Sequence, residues 1–177
     1  MRVYDGSPRQ DFEEVLRSIG AVLDQRGMRE ISVLEVPDGF IVQGIVTQSA
    51  DSTWSDSLGR QEKESLSVLE DDIARFMEEA HARRGTGAHA QAWQERAGSY
   101  ERALRVIGHY IDEQKPRDVF LFEQEGAYVL RLLMGTQGGP RHLLVEFTRD
   151  EIEQLVSQGP LRRAAPASAA TPPSGRT

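Results

Sequence analysis

Two glutamates are the first candidates for chemistry, because they occupy matched positions in two similar segments. Glu35 and Glu123 lie 88 residues apart, each beside apolar residues. If the two segments fold alike and pack about a twofold axis, these carboxylates could approach each other. A close pair of carboxylates raises one pKa, which suits acid–base catalysis or a hard metal ion. Two solvated carboxylates at strand ends are the simpler interpretation, which we favour.

Other catalytic and cofactor patterns are missing from the sequence. The chain has no cysteine, which excludes a thiol nucleophile and thiolate metal ligands. The glycine-rich stretch at 135–141, "GTQGGPR", does not match a phosphate-binding loop. The histidines show no metal-ligand spacing; they are His81, His89, His109 and His142. We therefore predict no catalytic residue, no metal site and no cofactor, and we do not expect an enzyme.

Aromatic residues and one arginine indicate a partner-binding surface instead. Four of these residues lie on two adjacent predicted strands, where stacked rings and a cation could hold unpaired bases. The fifth is a tryptophan in the loop "TQSADSTWSDSLGR", and a loop tryptophan can anchor a protein partner. Packing within the protein is the alternative for all of them. The candidates are Trp54, Phe120, Phe122, Tyr128 and Arg131.

The elements that would position these residues come from an internal repeat. Residues 12–46 align with residues 100–134, with eight of the 35 positions identical. Two copies are too few for a solenoid, so the repeat predicts a duplicated small domain. The identical pairs are Glu13/Glu101, Leu16/Leu104, Arg17/Arg105, Ile19/Ile107, Gly20/Gly108, Asp24/Asp112, Arg29/Arg117 and Glu35/Glu123.

Each copy predicts the order α-β-β-β-α. Apolar residues recur at helical spacing in the first and last segments, and short apolar runs separated by turn residues lie between them. "TRDE", ending at Glu151, has the form of a capping box at the last helix. The predicted domains are a first repeat at 1–84, a linker at 85–98, a second repeat at 99–160 and a disordered Pro/Ala/Ser-rich tail at 161–177.

The predicted strands are apolar on both faces, as in "VFLFE" at 119–123. Such a sheet needs cover on both sides, and the helices of one copy cover only one side. We therefore expect an α+β fold in which two three-stranded antiparallel sheets form a pseudo-twofold, dimer-like core. The sheets could pack face to face or edge to edge, or a second subunit could cover them. Gly20 and Gly108 lie within the first helix of each copy, where they predict a close helix crossing.

The αβββα order resembles that of the double-stranded-RNA-binding domain. That family grips phosphate with a basic cluster at the start of its last helix. Here the corresponding stretches are acidic, "EDDIARF" from Glu70 and "TRDEIEQL" from Thr148. The resemblance therefore implies an element order and no RNA-binding activity.

Charge and hydropathy narrow the expected function. The net charge of −7 disfavours nucleic acid. No apolar run approaches a membrane span or a signal peptide, so we expect a cytoplasmic protein. We predict a non-enzymatic protein-interaction or assembly module that binds a protein partner or itself. The alternative is a single-stranded nucleic-acid-binding protein that uses the aromatics of the second copy, and a third possibility is a ligand pocket between the copies.

Overall fold

The structure is a computed structural model that describes residues 11–48, 60–84, 98–136 and 139–158. The order α-β-β-β-α occurs twice, as the sequence predicts. Trp54, the linker apart from Gly98, and the C-terminal tail lie outside the described residues. No described helix has the length and apolar character needed to cross a membrane. The elements are α1 (Phe12–Arg26), β1 (Met28–Val36), β2 (Gly39–Gln48), β3 (Arg60–Leu69), α2 (Glu70–Arg84), α3 (Ser99–Gln114), β4 (Asp118–Gln124), β5 (Ala127–Thr136), β6 (Gly139–Phe147) and α4 (Arg149–Gln158).

The strands form one six-stranded antiparallel sheet in the order β3-β2-β1-β4-β5-β6. The sequence predicted two three-stranded sheets, and this finding corrects that prediction. The first strand of each half pairs with the other, with Val33 opposite Leu121. An unpaired edge strand leaves its N–H and C=O groups without partners, so joining the edges satisfies these groups in both halves.

The β1–β2 hairpin and the β4–β5 hairpin both have two-residue turns, so their side chains alternate between the two faces of the sheet in the same order. Val36 pairs with Gly39 across the first turn, and Gln124 pairs with Ala127 across the second. Side chains alternate between the two faces of a strand, so the turn length decides which residues share a face. Corresponding residues of the two halves therefore face the same side of the sheet.

One face of the sheet and all four described helices build the core. Strand residues of this face belong to the same buried cluster as the apolar residues of α1, α2, α3 and α4. Edge-to-face ring pairs connect helix and sheet, with centroid distances of 5.4–6.4 Å. The pairs are Phe12–Phe40, Tyr100–Tyr128 and Tyr110–Phe147.

Helices α1 and α3 cross closely at two glycines, as predicted. A Cβ added at Gly20 would lie 2.6 Å from the carbonyl oxygen of Tyr100, and one at Gly108 would lie 2.5 Å from that of Phe12. Both distances are far below van der Waals contact, and both involve backbone atoms. The missing side chains therefore let the two helix backbones touch.

Each of these helices receives its N-terminal cap from the other half of the chain. Both carboxylate oxygens of Asp112 accept hydrogen bonds of 2.9 Å from the backbone N–H groups of Phe12 and Glu13. Asp24 caps Tyr100 and Glu101 in the same way, at 3.1 and 2.9 Å. Burial raises the pKa of both aspartates, although these hydrogen bonds oppose the shift. The caps tie the halves together because a carboxylate satisfies N–H groups that a helix leaves free.

Removing one cap gives a first test of this arrangement. We expect Asp112→Ala to lower the free energy of unfolding by about 1–2 kcal/mol, the usual cost of losing an N-cap. Urea unfolding followed by circular dichroism measures the change. Asp150→Ala is the matched control, because Asp150 is exposed in the first turn of α4. Equal stability of the two variants would show that the cap across the halves is absent.

Two ion pairs also connect α1 with α3, and each joins an arginine of one helix to a glutamate of the other. Arg17 Nε donates to Glu101 Oε1 over 3.1 Å, with both side chains buried at 9% and 3% exposure. Arg105 Nε donates to Glu13 Oε1 over 3.0 Å, with side chains that are 37% and 26% exposed. Equivalent positions thus form a buried pair and a more exposed pair.

The capping box predicted at the last helix is confirmed. The backbone N–H of Glu151 donates to Thr148 Oγ1 at 3.3 Å, and the N–H of Thr148 donates to Glu151 Oε2 at 3.0 Å. This reciprocal pair fixes the start of α4 beside β6.

Candidate functional site

The sheet face opposite the helices is the main candidate site, and we call it the open face. Its apolar members alternate along the strands with residues of the core. None of them belongs to the hydrophobic core or packs against it. They are Leu34, Val36, Ile41, Ile45, Phe120, Phe122, Val129, Leu133 and Leu144.

Several open-face side chains are unusually exposed for large apolar groups. Leu34, at the centre of the sheet, is 42% exposed, and Leu144, on β6, is 67% exposed. The other members are partly exposed. Contiguous apolar surface of this kind marks interaction sites in soluble proteins, whereas single exposed leucines are common.

Two phenylalanines and an arginine lie together at the centre of the open face. The rings of Phe120 and Phe122 have centroids 5.4 Å apart and planes inclined by 33°. Phe120 pairs in register with Leu34 on β1 and with Arg131 on β5. Arg131 is exposed and donates weakly to His142 Nδ1 at 3.5 Å. Three of the five predicted partner-binding residues therefore share one surface.

Tyr128 occupies the opposite face of the sheet from these three residues. It is 7% exposed and packs edge-to-face on Tyr100 of α3. Burial raises its pKa, and the negative charge of Glu123 adds to the shift. The structure thus separates Tyr128 from Phe120, Phe122 and Arg131.

The open face carries charged side chains of both signs. Lys63 and Arg131 are positive, whereas Asp118 and Glu146 are negative, and the strand register places all four on this side. The whole chain carries a net charge of −7, so the excess of negative charge lies elsewhere. A face with charges of both signs suits an apolar protein partner better than a polyanion.

Both edges of the sheet carry features that hinder pairing with another strand. The edge strand β3 begins "RQEKE", with four charged residues in its first five. The other edge strand, β6, contains Pro140, which lacks an N–H donor, and charged Arg141. Charges and proline on edge strands disfavour addition of a further strand. An interaction through the face is therefore better supported than one through an edge.

A cleft of about 980 Å³ lies on the helix side of the sheet, at the start of α3. Within it, Tyr100 donates its hydroxyl hydrogen to Glu123 Oε2 at 2.6 Å. Burial, followed by this hydrogen bond, raises the pKa of Tyr100, so its phenol stays protonated at neutral pH. Arg29, Arg102 and Arg149 line the cleft together with acidic residues, and no histidine lies among the lining residues.

Glu35 and Glu123 do not form a carboxylate pair. Because Val33 lies opposite Leu121, Glu123 aligns with Ile31, four residues along β1 from Glu35. At ~3.3 Å per residue, about 13 Å separates the two positions along the strand. The described residues also contain no cluster of three or more metal-binding side chains.

The residues that sequence reasoning missed are aliphatic members of the open face, such as Leu34 and Leu144. Leu144 shares one face of its strand with the polar residues His142 and Glu146, so the pattern around it indicated a solvated face.

Comparisons with protein-family models, with curated proteins and with solved structures found no match for this chain.

Proposed function

We propose that this chain is a non-enzymatic protein-interaction module that binds protein through the open face. The apolar surface outside the core carries this proposal, because it spans five strands and remains partly exposed in the single chain. We also propose that the two αβββα halves arose by duplication. The contacts that α1 and α3 exchange at corresponding residues support that origin.

Photocrosslinking at two positions tests the interaction in cells. A photoreactive phenylalanine analogue replaces Leu34 at the centre of the open face, or Gln154 on the exposed side of α4 as a control. We expect covalent protein adducts from position 34 and few from position 154, because a docked partner lies over the open face. Equal adduct yields at the two positions would rule the proposal out.

The same photocrosslinking experiment tests the alternative that the open face binds single-stranded nucleic acid. Phe120, Phe122 and Arg131 share the open face, and a single strand could stack there. Nucleic-acid adducts at position 34 would favour that alternative, provided that the binding weakens steeply with salt. Loss of this binding in Phe122→Ala with Arg131→Ala would then establish it and overturn the proposed function.

A further inference from the structure

We infer that the partner on the open face is a second copy of this chain, packed face to face as a symmetric dimer. The inference rests on the proposed function and names the partner of the same site. Two open faces in contact would form a sandwich with sheets ~10 Å apart and apolar side chains between them. The four helices described in each copy would then lie on the outside.

The size of the open face fits a stable dimer. Six strands at ~4.8 Å spacing, with ~3.3 Å per residue along seven to ten residues, give a face of roughly 900 Å². Stable interfaces bury ~800 Å² on each partner. A second copy supplies a face of the same size, and its twisted strands can align with these within ~30°.

Charge also favours a second copy over a charged partner. The chain is strongly acidic overall, with a net charge of −7, so two copies repel at a distance. On the open face, Lys63 and Arg131 offset Asp118 and Glu146. Self-association through this face therefore brings together surfaces that carry charges of both signs.

The centre of the proposed interface contains the residues best able to anchor it. Leu34 and Phe120 face each other across the β1–β4 pair, and Phe122 lies beside them. Aromatic anchors at the middle of an interface contribute most of the binding energy when neighbours exclude water. A charge at position 34 would be buried without a partner in the dimer and solvated in the monomer.

Sedimentation of the purified full chain tests the dimer. We expect a species of twice the 19.8 kDa chain mass that dissociates on dilution. Leu34→Glu should raise the dimer dissociation constant at least about 100-fold, because a buried unpaired charge is costly. Gln154→Glu, on the helix side, should leave it unchanged. Circular dichroism checks that both variants remain folded.

A crosslink distinguishes face-to-face packing from other dimers. The chain has no cysteine, so Leu34→Cys introduces a single thiol at the centre of the open face. A bismaleimide that spans ~10 Å should join two copies of this variant, given the spacing of packed sheets. Gln154→Cys should not crosslink. A dimer that crosslinks equally through both thiols would contradict the face-to-face arrangement.

The inference and the proposed function fail in different ways. A chain that stays monomeric at about 100 μM would overturn the dimer, since a face of this size should associate well below that concentration. If position 34 nevertheless forms adducts with another protein in cells, the proposed function stands without the dimer. If it forms no protein adducts and the chain is monomeric, both are wrong.

Discussion

Gly108→Ala is expected to lower the free energy of unfolding by about 3 kcal/mol, the upper range for overpacking a core. The new Cβ would lie 2.5 Å from the carbonyl oxygen of Phe12 and 2.7 Å from the Cα of Glu13. Backbone atoms cannot move aside as a side chain can, so α1 and α3 must separate. Alanine favours a helix by about 1 kcal/mol over glycine, which offsets only part of this cost.

The chain offers two comparisons for this variant. Gly20→Ala should cost a similar amount, because its Cβ would lie 2.6 Å from the carbonyl oxygen of Tyr100. Gly135→Ala should change stability by less than about 0.5 kcal/mol, since its Cβ would meet the end of the Arg117 side chain, which can move. Urea unfolding of the three variants measures these effects. A Gly108→Ala chain as stable as Gly135→Ala would show that the helices are not in close contact.

Local patterns predicted the elements and the helix crossing, because short-range geometry determines both. Apolar spacing identified the α-β-β-β-α order, and Thr148 with Glu151 identified the start of α4. Six of the eight residue pairs that are identical between the halves lie on α1 and α3. Among them, Asp24 and Asp112 cap the facing helices. Internal identity therefore marked the interface between the halves, although its contacts were not foreseen.

The joining of the sheets was not predictable from the same patterns. Only three residue pairs connect β1 and β4, and they link residues far apart in the chain. Apolar strands indicate that both faces need cover, and they do not say which edges will pair. The sequence allowed two packed sheets as well as one continuous sheet.

The candidate site could be predicted only in part, because it depends on which residues of each strand point to the open face. Phe120, Phe122 and Arg131 share the open face because two-residue turns set the alternation. The run "YVLRLLM" has apolar residues on both faces of the strand. Composition therefore gave no reason to place Tyr128 on a different face from Phe120, Phe122 and Arg131. A single residue more in the turn would have exchanged the faces.

The helix side of the sheet governs the stability of the fold, whereas the open face governs the proposed association. Contacts between α1 and α3 hold the halves as one body, so the open face is presented by a continuous sheet. Stability of the α1–α3 interface therefore underlies the proposed interaction. Variants of that interface should change unfolding of the monomer. Leu34→Glu should change association, with little effect on unfolding at concentrations where the chain is monomeric, because Leu34 is 42% exposed.

The ion pair between Arg17 and Glu101 is the second position where a single change should have a large effect. Both side chains are buried, and Glu101→Ala would leave the arginine without this partner. Breaking a buried pair typically costs about 3–5 kcal/mol. Glu14, whose Oε1 lies 3.5 Å from Arg17 Nη1, can offset part of that loss. We therefore expect Glu101→Ala to lower the free energy of unfolding by about 3 kcal/mol.

The corresponding pair in the other half supplies the matched control. Glu13→Ala removes the partner of Arg105 and the contact of 2.9 Å between Glu13 Oε2 and His109 Nδ1. The Arg105 and His109 side chains are 37% and 33% exposed, so water can solvate both. We expect a cost of about 1 kcal/mol or less for this variant. The double variant Arg17→Met with Glu101→Leu should recover most of the lost stability, because apolar residues of similar size often replace a buried pair without cost. If Glu101→Ala and Glu13→Ala destabilise equally in urea unfolding, burial does not distinguish the two pairs and this account of the interface is wrong.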